Sequence, residues 1–406
     1  MTREVVITGI GAISPIAVGR ERYWEALKQG QTGFKEISLF NTFGFISRIG
    51  GEIADFDPEL FLGKKGLRTL DRSTKLVCSA AKLAIDDSNL LISDDNSYSV
   101  GVSIGTTFGS LHSISQFDIE GLTEGPRYVN PSLFPNTVIN SPASNISIRF
   151  GIKGFNTTIS TGFCASLDAI IYASDFLKLN RADAVLAGGV EELCKETFMM
   201  FHELGFLAGK NGSTPISCPY DKRSNGFIFS EGASVLVLES DEHASGRGAK
   251  TLAQILGHGS SFESSSGHYY GSGKGLENAI TSALQDAALK SDDIDYICSS
   301  ANSTKELDMI EAKTIIKIFG DLVPVSSIKS MIGESFSASG ALAVSAAVGV
   351  LNMNFLPPTV SYEGNTGDLG ISLVSNSAKK AHANKVLVLS ADPFGNNSAL
   401  ILGSID

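Results

Sequence analysis

Short β-branched, apolar runs alternate along the chain with longer segments in which apolar positions recur every three or four residues. The strand-like runs are EVVITGIG, SVGVSIGT, NTTISTG, DAVLAGG, ASVLVLES, IDYICSS and VLVLSAD. Their nearly continuous apolar character predicts a mixed or parallel sheet covered on both faces. Between them, RERYWEALKQG, SAAKLAIDDSNL, ASLDAIIYASDFLKLNRA, GLENAITSALQDAALKSDDI and ASGALAVSAAVGVL carry the helical period. Many of these end in Gly, Asn or Asp, as helix stops should. The alternation defines an α/β chain. The polar, glycine-containing stretch ESDEHASGRGAKTLAQIL interrupts it near 240–250 and divides the chain into two α/β halves, 1–245 and 246–406.

Composition narrows the class. With 406 residues, 43% of them hydrophobic, the chain has enough apolar mass for one large core or two intimately packed halves. The opening MTREVVITGIGAISP runs straight into a strand, without the charged, apolar and small-residue succession of a signal peptide, so a cytoplasmic protein is expected. ALAVSAAVGVLNMNFL (341–356) is too short and too rich in small residues for a membrane span and predicts a buried core helix. Five cysteines, at 78, 164, 194, 218 and 298, are scattered, with no CxxC pair or Cys/His cluster; neither a disulfide framework nor a metal site is expected. A net charge of -11 argues against nucleic acid as the main partner. The basic exception is GKKGLRTLDRSTK (63–75), where Lys64, Lys65, Arg68, Arg72 and Lys75 face a single acid and several share a helical face at i, i+4 spacing. A solvated helix face accounts for such a run.

TTISTGFCASLDAI (157–170) places Cys164 between a strand and a helix predicted to start at Ala165. A sulfur at a helix amino terminus meets free N–H groups and the positive end of the macrodipole, which stabilise a thiolate and form an oxyanion hole. A buried, inert thiol is the alternative, since free cysteine is among the most buried residue types.

Six motifs in order resemble the β-ketoacyl-carrier-protein synthases of the thiolase superfamily. REVVITGIGAISPIAVGRERYWEALKQGQTGF resembles that family's first strand and helix, and STGFCAS stands where it has its TACAS nucleophile turn. LAGGVEE is similar to the following strand and turn, and PYDKRSNGFIFSEGASVLVLE to its PFDxxRDGFxxGEGAGxLVLE block. SIKSMIGESFSASGALA resembles STKSxxGHxxGAAGA, and SADPFGNNSALIL the terminal NSFGFGGxNxxLV. The resemblance implies a thiolase fold, two similar βαβαβαββ halves in a five-layer αβαβα sandwich, usually dimeric. It also implies thioester chemistry: a cysteine takes an acyl chain from the phosphopantetheine of an acyl carrier protein, and decarboxylation of malonyl-carrier protein supplies the attacking carbanion. No further cofactor is implied.

The departures fall on the chemistry. Family members that condense use one cysteine and two histidines. Asn302, in ANSTKELDMIE, occupies the first histidine position, with a two-residue deletion just after it, and Glu334 occupies the second. Histidines 112, 202, 243, 258, 268 and 382 all lie outside these motifs. Asn302 still offers an amide N–H to a carbonyl but carries no proton at neutral pH. An ionised Glu334 would repel a developing enolate and raise the Cys164 pKa. Paired with Lys329 it becomes a structural ion pair; kept neutral, it would donate a hydrogen bond or act as an acid. Phe163 is bulkier than the family's alanine, and Pro393, Phe394 and Gly395 stand at its Gly-Phe-Gly gate loop. Both read either as packing or as a narrowed acyl tunnel.

The pattern resembles most the chain length factors of type II polyketide synthases, which keep the fold, lose the catalytic set and form a heterodimer with an active ketosynthase to bound the growing chain's cavity. Retention of Cys164 departs from many of those factors, which replace the nucleophile. A second expectation is an independent condensing enzyme or acyltransferase built on Cys164, Asn302 and Glu334, since acyl transfer needs a nucleophile and oxyanion hole but no decarboxylation. A third is a docking module whose Lys64, Lys65, Arg68 and Arg72 meet an acidic carrier protein. Neither nucleic acid nor membrane is an expected partner.

Overall fold

The computed structural model describes residues 3–264, 269–364 and 370–405. Its main sheet has twelve strands. Eleven run in the order Ser372–Leu373, Pro324–Ser326, Tyr296–Cys298, Lys385–Ala391, Asn396–Gly403, Ala253–Phe262, Val5–Ser14, Gly232–Ser240, Ala184–Glu191, Val100–Gly105 and Asn156–Ile159, and Ala17–Val18 pairs beside Val5–Ser14. All ten residues of Val5–Ser14 and all nine of Gly232–Ser240 are buried, as their unbroken apolar runs predict.

The seam between the two series is short. Val5, Val6 and Ile7 pair antiparallel with Ile255, Gln254 and Ala253. On one side of it, Val100–Gly105 lies parallel to both Asn156–Ile159 and Ala184–Glu191. On the other, Tyr296–Cys298 lies parallel to both Pro324–Ser326 and Lys385–Ala391. Each side thus places parallel strands outward and antiparallel ones at the seam.

Helices fill three layers. Ala165–Lys178 and Ser337–Met353 pack together between the two sheet halves, Arg72–Ser88 and Ser141–Phe150 cover one outer face, and Lys274–Asp286 and Lys305–Phe319 the other. This is the five-layer αβαβα thiolase sandwich. The apolar 341–356 stretch lies at its centre: Ser337–Met353 is buried from Ser337 through Leu351. Its small residues admit close neighbours, so Trp24 donates its indole N–H to Ser345 O at 2.7 Å and Ser166 Oγ accepts the Ala341 amide at 2.8 Å. That last bond ties the helix after Cys164 to the helix after Glu334. No helix among the described residues is long and apolar enough to cross a membrane.

The basic segment differs from its periodicity. Residues 63–70 form turns, and the helix begins only at Arg72, where Asp71 accepts the Thr74 amide at 2.6 Å as N-cap. Lys64, Lys65 and Arg68 therefore share no helical face with Arg72. All five cysteines are free and buried.

A buried carboxylate braces the seam side of the sheet. Glu239 accepts hydrogen bonds from Thr8 Oγ1, from Arg247 Nε at 2.8 Å and from His243 Nδ1 at 2.6 Å. Arg247 also donates to Ser88 O at 2.9 Å, joining the outer helix to the strand. Burial alone would raise the Glu239 pKa, but Arg247, His243 and Thr8 overcome it and lower the carboxyl from 4.5 to about 2. A depressed carboxylate contributes fully above its unfolded value and loses that contribution as pH falls from 4.5 toward 2. Glu239→Gln is accordingly expected to lower stability at neutral pH by roughly 3 kcal/mol and to flatten the acid limb of urea midpoint against pH.

Candidate functional site

Cys164 ends the 3₁₀ turn Gly162–Cys164 and immediately precedes the helix Ala165–Lys178, as the nucleophile-turn spacing predicts. The turn is clamped from three sides. Asp392 accepts the amides of Phe163 at 3.0 Å and Phe394 at 2.7 Å, Ser390 Oγ donates to Phe163 O at 3.0 Å, and Thr107 Oγ1 donates to Gly162 O at 3.0 Å. Gly162 makes this approach possible: its φ is +60°, and a Cβ there would stand 2.0 Å from Asp392 Oδ2. The same Thr107 Oγ1 accepts the Ser337 amide at 3.2 Å, linking the cysteine turn to the central helix.

The sulfur is fully buried and donates to Asn396 O at 3.4 Å. Burial first, then the carboxylates of Asp168 and Asp392, push the Cys164 pKa well above its ordinary value, against weaker help from Ser390 and Ser398. Desolvation and two acids thus oppose the thiolate that a helix terminus favours.

Asn302, Lys329 and Glu334 converge in a second, equally buried group. Lys329 Nζ lies 2.7 Å from Glu334 Oε2 and donates to Ser300 O at 3.0 Å. Asn302 Nδ2 donates to the same Glu334 oxygen at 2.8 Å. Glu334 Oε1 accepts the Phe336 amide at 3.0 Å and Ser339 Oγ at 2.8 Å. Four donors thus hold the carboxylate, and Asn302 uses its own Oδ1 to accept the Thr304 amide at 3.0 Å. The ion-pair alternative for Glu334 is the one the geometry takes. Among the described residues no hydrogen bond joins Cys164 to Asn302, Lys329 or Glu334.

Comparison with known proteins decides the lineage. The profile of the beta-ketoacyl synthase N-terminal domain matches residues 2–244, and that of the C-terminal domain residues 252–363. The chain belongs to the β-ketoacyl synthase family. A 3-oxoacyl-[acyl-carrier-protein] synthase 2 of Vibrio cholerae serotype O1 is 34% identical over 98% of both chains. The ishigamide ketosynthase/chain length factor superposes with a TM-score of 0.93 at 30% identity, covering 100% of both chains. A type II PKS acyl-carrier protein in complex with its ketosynthase bound to the hexaketide gives 0.89 at 27%, again covering 100% of both.

Within this β-ketoacyl synthase frame, Phe163, the residue before Cys164, sits in a cluster of phenyl rings. Phe163 is buried, with its ring centroid 4.7 Å from Phe336 and 6.0 Å from Phe201; Phe336 and Phe201 stack at 4.6 Å. Phe336 carries an unusual φ of +47°, which sets its ring at the hub of the group directly after the Glu334 network. Phe394 is half exposed, and its neighbour must be glycine, since Gly395 has φ +114° and a Cβ there would stand 2.3 Å from Glu263 O.

The basic residues divide. Lys64, Lys65 and Arg68 are exposed, whereas Arg72 turns inward: its guanidinium meets both oxygens of buried Glu231 at 2.6 Å and donates to Ile53 O at 3.0 Å. Arg72 is thus withdrawn from the docking set by a buried partner. Histidines 112, 202, 243, 258 and 382 make no hydrogen bond to Cys164, Asn302 or Glu334, and His268 lies outside the described residues.

Sequence reasoning missed Asp392, Phe336 and Glu191. Glu191 accepts the amides of Thr107 at 2.8 Å and Phe108 at 3.1 Å, and burial pushes its pKa up to about 7. The available signal for Asp392 was an acid set inside an otherwise apolar terminal motif, SADPFG. For Phe336 and Glu191 no local signal existed, since both act through contacts distant in sequence.

Removing one member of a buried pair leaves the other uncompensated. Lys329→Met is expected to cost roughly 3–5 kcal/mol in urea unfolding, and Lys329→Met/Glu334→Leu to recover most of it. Arg72→Ala should cost a similar amount, and exposed Arg68→Ala less than about 0.5 kcal/mol.

Proposed function

We propose that the chain is a chain length factor-like subunit, a partner that pairs with a histidine-containing ketosynthase and helps bound the cavity in which an acyl chain grows. The observation that carries this is the Asn302–Lys329–Glu334 network. It occupies the two histidine positions with a closed set of satisfied polar groups, while the nucleophile turn and layered scaffold remain intact. A carboxylate paired with Lys329 there offers no proton donor to a developing enolate, and a thiol whose pKa is raised by burial opposes acylation.

A surface suited to a partner supports the pairing. Asn156–Ile159 ends the main sheet as an edge strand. The helix Leu111–Thr123 has no buried residue, and Ile119, Leu122, Phe134, Val138, Ile139 and Ile148 are exposed. Open strand edges and clustered apolar surface are costly in a lone subunit. In this role acyl chains arrive on the phosphopantetheine of an acyl carrier protein, for which Lys64, Lys65 and Arg68 remain exposed, and the chain holds no cofactor of its own.

Retention of Cys164 favours a second reading, an acyltransferase or unusual condensing enzyme acting through that sulfur. Co-expression with a candidate ketosynthase separates the two. A stable heterodimer is expected, whose product formation is kept within about twofold in Cys164→Ala but abolished by loss of the partner's nucleophile. Intact mass after incubation with acyl-loaded carrier protein should show the adduct on the partner alone. A homodimer with condensing activity, or an acyl adduct on Cys164, would overturn the partner-subunit reading.

A further inference from the structure

Asp392 is buried, and its carboxylate ends on two backbone amides from different elements. Oδ2 accepts the amide of Phe163, the residue before Cys164, at 3.0 Å, and Oδ1 accepts the amide of Phe394 at 2.7 Å. Its main chain is tied to the thiol as well. Asn396 O accepts the Asp392 amide at 2.9 Å and Cys164 Sγ at 3.4 Å. Asp392 and Cys164 thus share one acceptor oxygen, which fixes the residue carrying the carboxylate next to the sulfur.

Turn formation accounts for only half of this arrangement. A side chain that closes a turn onto the amide two residues on needs a single acceptor, which serine or asparagine supplies equally well. The second oxygen of Asp392 goes to the cysteine turn instead, and only a glycine at 162 admits it, since a Cβ there would stand 2.0 Å from Oδ2. The next two amides of that turn are also engaged: Cys164 N–H donates to Thr161 O at 3.3 Å and Ala165 N–H to Gly162 O. The amides of Phe163, Cys164, Ala165 and Phe394 therefore already have acceptors.

That occupation bears on one kind of reaction. Acylation of a thiol by a thioester passes through a tetrahedral oxyanion, which is stabilised by backbone N–H groups held beside the nucleophile. A carboxylate presents those donors with the same partner, an anionic oxygen accepting charge-assisted hydrogen bonds.

We propose that Asp392 is a specificity-determining residue, an internal carboxylate that occupies the anion-accepting amides beside Cys164 and so withholds them from the oxyanion of an incoming thioester. The reaction withheld is attack of Cys164 on the thioester carbonyl: a C–S bond forms to Cys164, the C–S bond to the donor thiol breaks, and the Cys164 proton leaves with that thiol. The inference rests on the partner-subunit reading, in which Cys164 takes no acyl chain, and supplies a cause for it.

Two reagents with different transition states test it on the full chain. Hexanoyl-N-acetylcysteamine acylates through an oxyanion, whereas iodoacetamide reacts at a saturated carbon, forms no carbonyl oxyanion and reports only the ionisation and access of the thiol. Modification of Cys164 is followed by peptide mass spectrometry, with Cys164→Ala as the blank. Native Cys164 should show no acylation above the blank, and Asp392→Ala should raise the ratio of acylation to alkylation about tenfold or more. A folded Asp392→Ala chain in which both reactions accelerate equally, or in which neither does, overturns the proposal. If Asp392→Ala does not fold, Asp392→Asn is read by the same criterion, since its one acceptor keeps the turn to Phe394 and releases the Phe163 amide. Ready acylation of native Cys164 would overturn the proposal and the partner-subunit reading together. Selective acylation of the variant, in a chain that pairs with no ketosynthase, would remove that reading and leave the role of Asp392 standing.

Discussion

A carboxylate without access to water must be matched by donors, and Glu334 sets that requirement for the centre of the molecule. Lys329 supplies the charge, and Asn302, Ser339 and the Phe336 amide supply the remaining hydrogen bonds. Satisfying it fixes the backbone on both sides. Asn302 is drawn toward residues 329–334, and Phe336 is held at positive φ with its ring turned into the phenyl cluster. The polar network of the site and the placement of the Phe336 ring therefore descend from one side chain.

Cys164 shows how one scaffold pulls on the ionisation of a thiol from two sides. A helix amino terminus favours a thiolate by a fraction of a kcal/mol to about 2 kcal/mol. Complete burial penalises the charged form, and Asp168 and Asp392 add to the penalty. Asp392 also builds the turn, because its carboxylate accepts the Phe163 and Phe394 amides. The group that positions the sulfur is one of those that keep it protonated.

The layered fold was legible because its signals are local and redundant. Unbroken apolar runs such as Val5–Ser14 became buried strands, and the small-residue stretch after Glu334 became the central helix. The basic segment misled because its charges repeat at helical spacing while Asp71 caps the helix only at Arg72, and because Arg72 finds Glu231 159 residues away. At the site, Cys164, Asn302, Lys329 and Glu334 were legible as departures within motifs. Asp392 and Phe336 were not, since their roles depend on backbone geometry and on partners brought near by the fold.

The Asn302–Lys329–Glu334 network is also spatially contained. Its members come from residues 300–304 and 329–339, and their polar atoms are satisfied largely among themselves. The seam of Val5–Ile7 with Ala253–Ile255 and the bond from Ser166 to Ala341 do not include them. A closed polar cluster can replace another of similar volume without disturbing the packing around it, because the surrounding core senses shape more than charge once every donor and acceptor is paired. Tyr270 and Thr304 are the exceptions, two hydroxyls at the margin of the network that it does not satisfy.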